Sequence, residues 1–211
     1  MKITDIKNQK KRKNRFSIFI DGKYRFSLDY DTLTRSDIHI GDDIDEKKII
    51  KLKLKDEFSK ARDYGYSLIS YRDRSEWELR RRLLEKGFQR EVAIEVVDWF
   101  KNEGIVNDRK FANRWLDGVL QAKPMGKLRV LHELRAKRID DEIIEEVCEK
   151  RLGYQTEMEL AKKACDKRMG VLKNYPPEVG KRRLFQYMKN RGFAFEIIQE
   201  LLKECFSDHL G

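Results

Sequence analysis

The chain has 211 residues, 40% of them apolar and 40% charged, with a formal net charge of +10. That balance describes a soluble protein of one or two domains with much surface per unit of core, and it favours an elongated shape. No apolar run approaches the length of a membrane span and the amino terminus M-K-I-T-D-I-K lacks an export core, so a cytoplasmic protein with no membrane partner is expected.

Residues 1 to about 28 read as strand. Phe16, Ile18 and Ile20 alternate with Ser17 and Phe19, and after Asp21-Gly22 come Tyr24, Phe26 and Leu28. Asp-Gly between alternating runs is a strong hairpin signal. Ile3 to Lys7 is a candidate third strand. Lys2, Lys7, Lys10, Lys11, Arg12, Lys13, Arg15, Lys23 and Arg25 far outnumber Asp5 and Asp21 here. Lys10, Lys11, Arg12, Lys13 and Arg15 therefore form a candidate basic patch for phosphate. An edge whose lysines simply deter strand addition explains them equally well.

A connector from Asp29 to Ile44 holds a short helical turn around Asp31 to Arg35 and a turn at Gly41-Asp42. Asp45 then caps a helix through Ile49, Ile50, Leu52 and Leu54, and the pattern runs on through Phe58, Ala61, Tyr64 and Leu68 as one helix or two with a bend. At Arg74 to Phe88 a capping box, Ser75 with Glu78, opens a short amphipathic helix. Trp77, Leu79, Leu83 and Leu84 make its apolar side and Arg80, Arg81, Arg82 and Lys86 its basic one, with Gly87 closing it.

This helix repeats. Ser75, Leu79, Leu83 and Phe88 recur as Gly126, Val130, Leu134 and Ile139, then as Gly180, Leu184, Met188 and Phe193. A spacing of about fifty residues is that of a helical array whose units bury their apolar faces by stacking. Flanking helices repeat as well, giving three units of three: about 57 to 70, 75 to 86 and 91 to 103; 108 to 122, 126 to 138 and 141 to 151; 157 to 173, 178 to 191 and 194 to 206. Breaks fall at Gly87, Gly104, Pro124, Gly153 and Pro176-Pro177, and starts at Asp108, at Asp140 and at Thr156 with Glu159. Val92, Val96 and Val97, matched by Ile143, Val147 and Cys148 and by Ile197, Leu201 and Leu202, are core positions, with Trp99, Phe100 and Trp115 as the largest apolar bodies. The fold class is mainly α: tandem three-helix repeats in an elongated curved array, with a small amino-terminal β-hairpin module. The expected divisions are 1–44, 45–104, 105–153 and 154–211.

The middle helices are basic. Arg72 and Arg74 lead into Arg80, Arg81, Arg82 and Lys86; Lys127, Arg129, Arg135, Lys137 and Arg138 belong to the second unit; Lys181, Arg182, Arg183, Lys189 and Arg191 to the third. The helices that follow lean acidic, above all through Asp140, Asp141, Glu142, Glu145, Glu146 and Glu149. Stacked in register, the basic helices would lay a stripe suited to nucleic acid or an acidic protein groove. The other reading is that basic and acidic helices neutralise each other.

No catalytic constellation assembles. His39, His132 and His209 stand apart from one another and from the cysteines, and there is neither a phosphate loop nor a glycine fingerprint. Asp42-Asp43 and Asp140-Asp141 sit where turns and caps use them. Cys148, Cys165 and Cys205 read as core residues of a reduced protein without a disulfide framework. No catalytic residue, metal or cofactor is expected.

R-S-x-x-E-L-R-x-x-L-x-x-K-G-F at Arg74 to Phe88, then Gly104-Ile105-Val106-Asn107-Asp108, Phe111-Ala112, Gly126 and Glu133-Leu134 resemble the RecX family of recombinase regulators over about residues 57 to 206. The resemblance implies tandem three-helix repeats and a non-enzymatic cytoplasmic protein, expected as a monomer. It also implies binding to RecA protein and the RecA-DNA filament, with suppression of recombinase, ATPase and co-protease activity. The basic residues of the middle helices named above are the expected contact set, laid in the filament groove. A general DNA-binding protein acting by competition for DNA is the alternative. Lys137-Arg138-Ile139 departs from the family's Lys-Gly-Ile, which should shift a helix end by little. The hairpin lies outside the shared helical core.

Overall fold

A computed structural model describes residues 1–10 and 12–206, with the side chains of Arg12 and Lys13 left aside. It is mainly helical and divides into two compact units, Met1–Val106 and Asn107–Gly211. Among the described residues no helix is long and apolar enough to cross a membrane.

The first unit opens with an antiparallel sheet in the order β1 (Ile3–Gln9), β2 (Arg12–Ile20), β3 (Lys23–Asp29). Asp21 and Gly22 turn β2 into β3 with φ of 48° and 77°, both in the left-handed region that a two-residue hairpin needs. Ile18 pairs with Phe26 across the strands, and together with Ile3, Ile20 and Leu28 they bury one face of the sheet against Ile38, Ile44, Ile49 and Leu52. Asp29 caps α1 (Tyr30–Arg35) and Asp45 caps α2 (Glu46–Tyr71), each accepting a backbone N–H at 2.7 Å.

The helix after Asp45 is one element of 26 residues, about 39 Å long. Its first turns cover the sheet through Ile49 and Leu52. Further on, Ala61 enters a second core with Leu79 and Leu83 of α3 (Glu76–Glu85) and Val92, Ala93, Val96, Val97 and Phe100 of α4 (Arg90–Asn102). One helix thus serves both the sheet and the first three-helix repeat.

The second unit contains α5 (Asp108–Ala122), α6 (Lys127–Ala136) and α7 (Asp141–Arg151), then α8 (Tyr154–Leu172), α9 (Pro177–Asn190) and α10 (Phe195–Phe206). Val130 and Leu134 of α6, Ile144 and Val147 of α7, Leu184 and Met188 of α9, and Ile197 and Leu201 of α10 share one core. The second and third repeats are therefore a single packing unit.

Several local expectations need correction. Leu84 is 42% exposed, because Leu79 and Leu83 alone complete the inward stripe of a ten-residue helix. Ile144 rather than Ile143 is fully buried. Asn107, not Asp108, caps α5, its Oδ1 accepting the Lys110 N–H at 2.9 Å. Thr156 and Glu159 start nothing: α8 begins at Tyr154 after Gly153, so both lie inside the helix.

The three middle helices end alike. Phe88 N–H donates to Leu83 O, Ile139 N–H to Leu134 O and Phe193 N–H to Met188 O, at 3.3, 3.2 and 3.3 Å. The residue before each has positive φ: Gly87 at 96°, Arg138 at 57° and Gly192 at 76°. The arginine thus keeps the helix end that glycine makes elsewhere, against the cost of its Cβ in a left-handed conformation. Replacing Arg138 with glycine should stabilise the second unit by about 1 kcal/mol net of the extra unfolded-state freedom, read as a higher urea midpoint.

Candidate partner-binding surface

On α3 the arginines point outward. Arg81 and Arg82 converge on Glu85, at 2.7 and 3.1 Å, and the hydrogen bond from Arg81 draws the Glu85 carboxyl below its usual range. Arg81 also lies 5.4 Å from the Trp77 ring centre, and Lys86 lies 5.4 Å from that of Tyr64. Arg80 is exposed and, among the described residues, has no ion pair. Such surface pairs exchange with water and salt, so all three arginines remain open to a partner.

Arg72 and Arg74 behave differently. Arg72 binds Glu78 at 2.8 Å and the Asp73 carbonyl at 2.7 Å, bracing the entry to α3. Arg74 is only 9% exposed and donates to Leu68 O at 3.2 Å. Burial, then the like charge of Arg72, lower its pKa, yet a guanidinium stays charged at neutral pH. Arg74 ties α2 to α3 rather than facing a partner.

In the second unit the chain brings two basic helices together in a way that spacing does not reveal. Gly126 N–H donates to Arg191 O at 2.9 Å and Leu128 N–H to Gly192 O at 3.1 Å. The last carbonyls of α9 thus satisfy the first amides of α6, and the opposed partial charges of the two helix ends attract. Buried Glu157 completes the joint, one oxygen accepting Lys127 N–H at 3.0 Å and Ala194 N–H at 3.3 Å. Arg191 serves this joint too: it donates to Pro124 O at 2.7 Å and stacks 4.8 Å from the Tyr187 ring centre.

Along these helices the charges divide into answered and open ones. Arg129 pairs with Glu133 at 2.5 Å and Arg135 with Asp141 at 2.7 Å, an exchange that raises the Arg135 pKa. Lys137 lies over the Phe111 ring, 5.7 Å from its centre, and Arg183 is 4.2 Å from that of Tyr175. The acidic helix α7 spends Glu146 on Arg109 and Lys150, at 2.7 and 2.8 Å. Lys127 is half-buried at the joint, whereas Arg138, Lys181, Arg182 and Lys189 are exposed without an ion pair among the described residues. Neutralisation thus accounts for part of the charge and leaves an open basic set on α9 and at Arg138, just past the end of α6.

The amino-terminal patch loses a member. Arg15 is 13% exposed at its side chain and grips Asp56 through two nitrogens, at 3.2 and 3.1 Å, while also bonding Ser27. It is a structural cation that ties β2 to α2 and to β3. Lys10 is exposed; Lys11 lies outside the described residues, as do the side chains of Arg12 and Lys13. A cleft lined by Arg35, Lys51, Lys55 and Arg62, with Asp31 and Glu95, also escaped sequence reading, because its cations come from α1 and from separate turns of α2. Glu157 and Asp56 did leave a signal: each is a carboxylate on an otherwise apolar helical stripe, which demands a buried donor.

Models of the RecX N-terminal domain and of the first, second and third RecX three-helix domains match residues 1–45, 61–100, 107–147 and 155–202. The likeness therefore reaches the hairpin module as well as the helices. The regulatory protein RecX of Bacillus licheniformis is 32% identical over 202 residues, covering 96% of this chain and 76% of that protein. The regulatory protein RecX of Clostridium botulinum (strain Alaska E43 / Type E3) is 26% identical over 208 residues, 98% of this chain and 97% of its own. A crystal structure of regulatory protein RecX superposes with a TM-score of 0.78 at 25% identity, over 96% of this chain and 98% of the other. Repeat architecture, sheet and sequence agree, and the chain belongs to the RecX family of regulatory proteins.

Proposed function

We propose that this chain binds RecA recombinase and its filaments on DNA and suppresses recombinase, ATPase and co-protease activity, acting as a cytoplasmic monomer and not as an enzyme. The observation that carries the reading, beside the family, is the set of exposed cations without an ion pair among the described residues on or just past the middle helices: Arg80 on α3 in one unit, and Arg138 just beyond α6 with Lys181, Arg182 and Lys189 on α9 in the other. Each unit supplies a weak electrostatic contact, and the covalent link between the units converts the second contact into an intramolecular event. A filament groove, lined by acidic protein surface and DNA phosphate, is a partner on which both contacts can land at once.

The variant Arg80→Glu/Arg182→Glu is expected to weaken filament binding on the order of a hundredfold, about tenfold for each reversed contact, with an unchanged helical circular dichroism spectrum. Full affinity in that variant would remove both residues from the contact set. Direct DNA binding is the second reading, favoured by arginines stacked on aromatic rings, such as Arg183 on Tyr175. Binding to bare and RecA-coated single strands across a salt series separates the two. Affinity that survives on the coated strand at salt which abolishes binding to the bare strand fits the regulator; equal, steep loss on both fits a DNA binder.

A further inference from the structure

Cys165 on α8 and Cys205 in the last turn of α10 face each other with their Sγ atoms 3.2 Å apart. They join the first and third helices of the third repeat, which pack against the same core. Both are free thiols, Cys165 buried and Cys205 half-buried, whereas Cys148 is fully buried. Spacing along the chain made all three look like inert core residues; the fold singles out two of them.

We propose that Cys165 and Cys205 form an oxidation site, in which hydrogen peroxide converts the two thiols to an intramolecular disulfide that staples α8 to α10. The inference is independent of what the protein binds. Cys205 is the less buried of the two, so its thiolate attacks the peroxide O–O bond, taking one oxygen as a sulfenic acid and releasing the other as water. The Cys165 sulfur then attacks the Cys205 sulfur; the S–S bond forms, the S–O bond breaks, and the oxygen leaves as water with the Cys165 proton. Two thiols are oxidised and one peroxide is reduced to two waters.

Geometry supports the second step. A disulfide of about 2.0 Å needs the sulfurs to approach by roughly 1 Å more, and Cys205 sits at a helix end where one side chain and one turn can supply that movement. Burial, reinforced by the hydrogen bond with Cys205, pushes the Cys165 thiol up to about 12. Cys165 is therefore a slow nucleophile that reacts only once its neighbour has been activated, and the pair stays reduced without peroxide.

The test uses the full chain freed of reductant, treated with hydrogen peroxide, quenched and denatured. Free thiols should fall from three per chain to one. A non-reducing peptide map should show the Cys165 and Cys205 peptides joined, lighter by two hydrogens. The crosslinked chain should remain monomeric on a non-reducing gel and melt higher by about 5 °C, a gain reversed by dithiothreitol. Cys205→Ser should keep both of its thiols under the same treatment. Three thiols surviving, a bridge to Cys148, bridged dimers, oxygen adducts on Cys205 without a crosslink, or a crosslinked chain that melts no higher would each overturn the proposal.

Discussion

Gly126→Ala is expected to destabilise the second unit by about 3 kcal/mol, the largest effect of adding one methyl group anywhere in that unit outside Gly192. A Cβ at Gly126 would stand 2.2 Å from the Gly192 carbonyl oxygen and 2.4 Å from both its carbon and the Phe193 Cα. Those are backbone atoms and cannot rotate aside. Relief requires α6 to withdraw from the end of α9, which breaks the hydrogen bonds donated by the Gly126 and Leu128 N–H groups and pulls Lys127 N–H from Glu157. At about 1 kcal/mol for each buried hydrogen bond the loss reaches the stated size. Gly118→Ala in α5 and Gly170→Ala in α8 are the controls. Their added Cβ atoms meet nothing within 4 Å, so the same methyl group should stabilise by about 0.5–1 kcal/mol through helix propensity. Urea midpoints of the three variants should therefore move in opposite directions.

Asp56→Ala should cost the first unit about 3–5 kcal/mol, because it strands Arg15 as a buried, uncompensated charge. Asp56 also accepts the Asp29 N–H at 2.7 Å and pairs with Lys60 at 2.5 Å, so its loss unpins the end of β3 as well. Burial raises the pKa of the Asp56 carboxyl, but the hydrogen bonds from Lys60, Arg15 and Asp29 N–H together outweigh it and hold the group below its usual 3.8. A carboxyl depressed on folding contributes stability that is fully present above its unfolded pKa and is lost as pH falls through the folded one. The native protein should therefore lose stability on acidification below about pH 4, and Asp56→Ala should show a shallower loss over that range. Parallel acid limbs in the two proteins would show that the pair contributes nothing.

What the sequence made legible was local. Asp21-Gly22 specifies a hairpin by backbone conformation alone, and Asp45, Ser75 and Asp140 cap helices with side chains that reach only two or three residues. The repeat was legible too, since Leu79, Val130 and Leu184 mark the same inward turn of three short helices. What stayed hidden depends on partners far along the chain. Arg15 and Arg74 look like surface cations until Asp56 and the Leu68 carbonyl are found beside them. Thr156 and Glu159 match a capping box in spelling, yet Gly153 releases the chain into helix earlier. The basic surface was read as a property of each helix, when its arrangement in the second unit is set by backbone bonds between α6 and α9.

That joint also bears on how the protein is made. The start of α6 is closed by Arg191, whose bond to Pro124 spans 67 residues, and by Glu157. While a ribosome is still adding α9, the second repeat has its helices but not the atoms that seal them, so its native state waits for almost the whole of the third. A pause in translation between the two would hold an open repeat, exposed to proteases and chaperones. For the same reason the second repeat cannot be separated from the third as a cassette: its end is written in its neighbour.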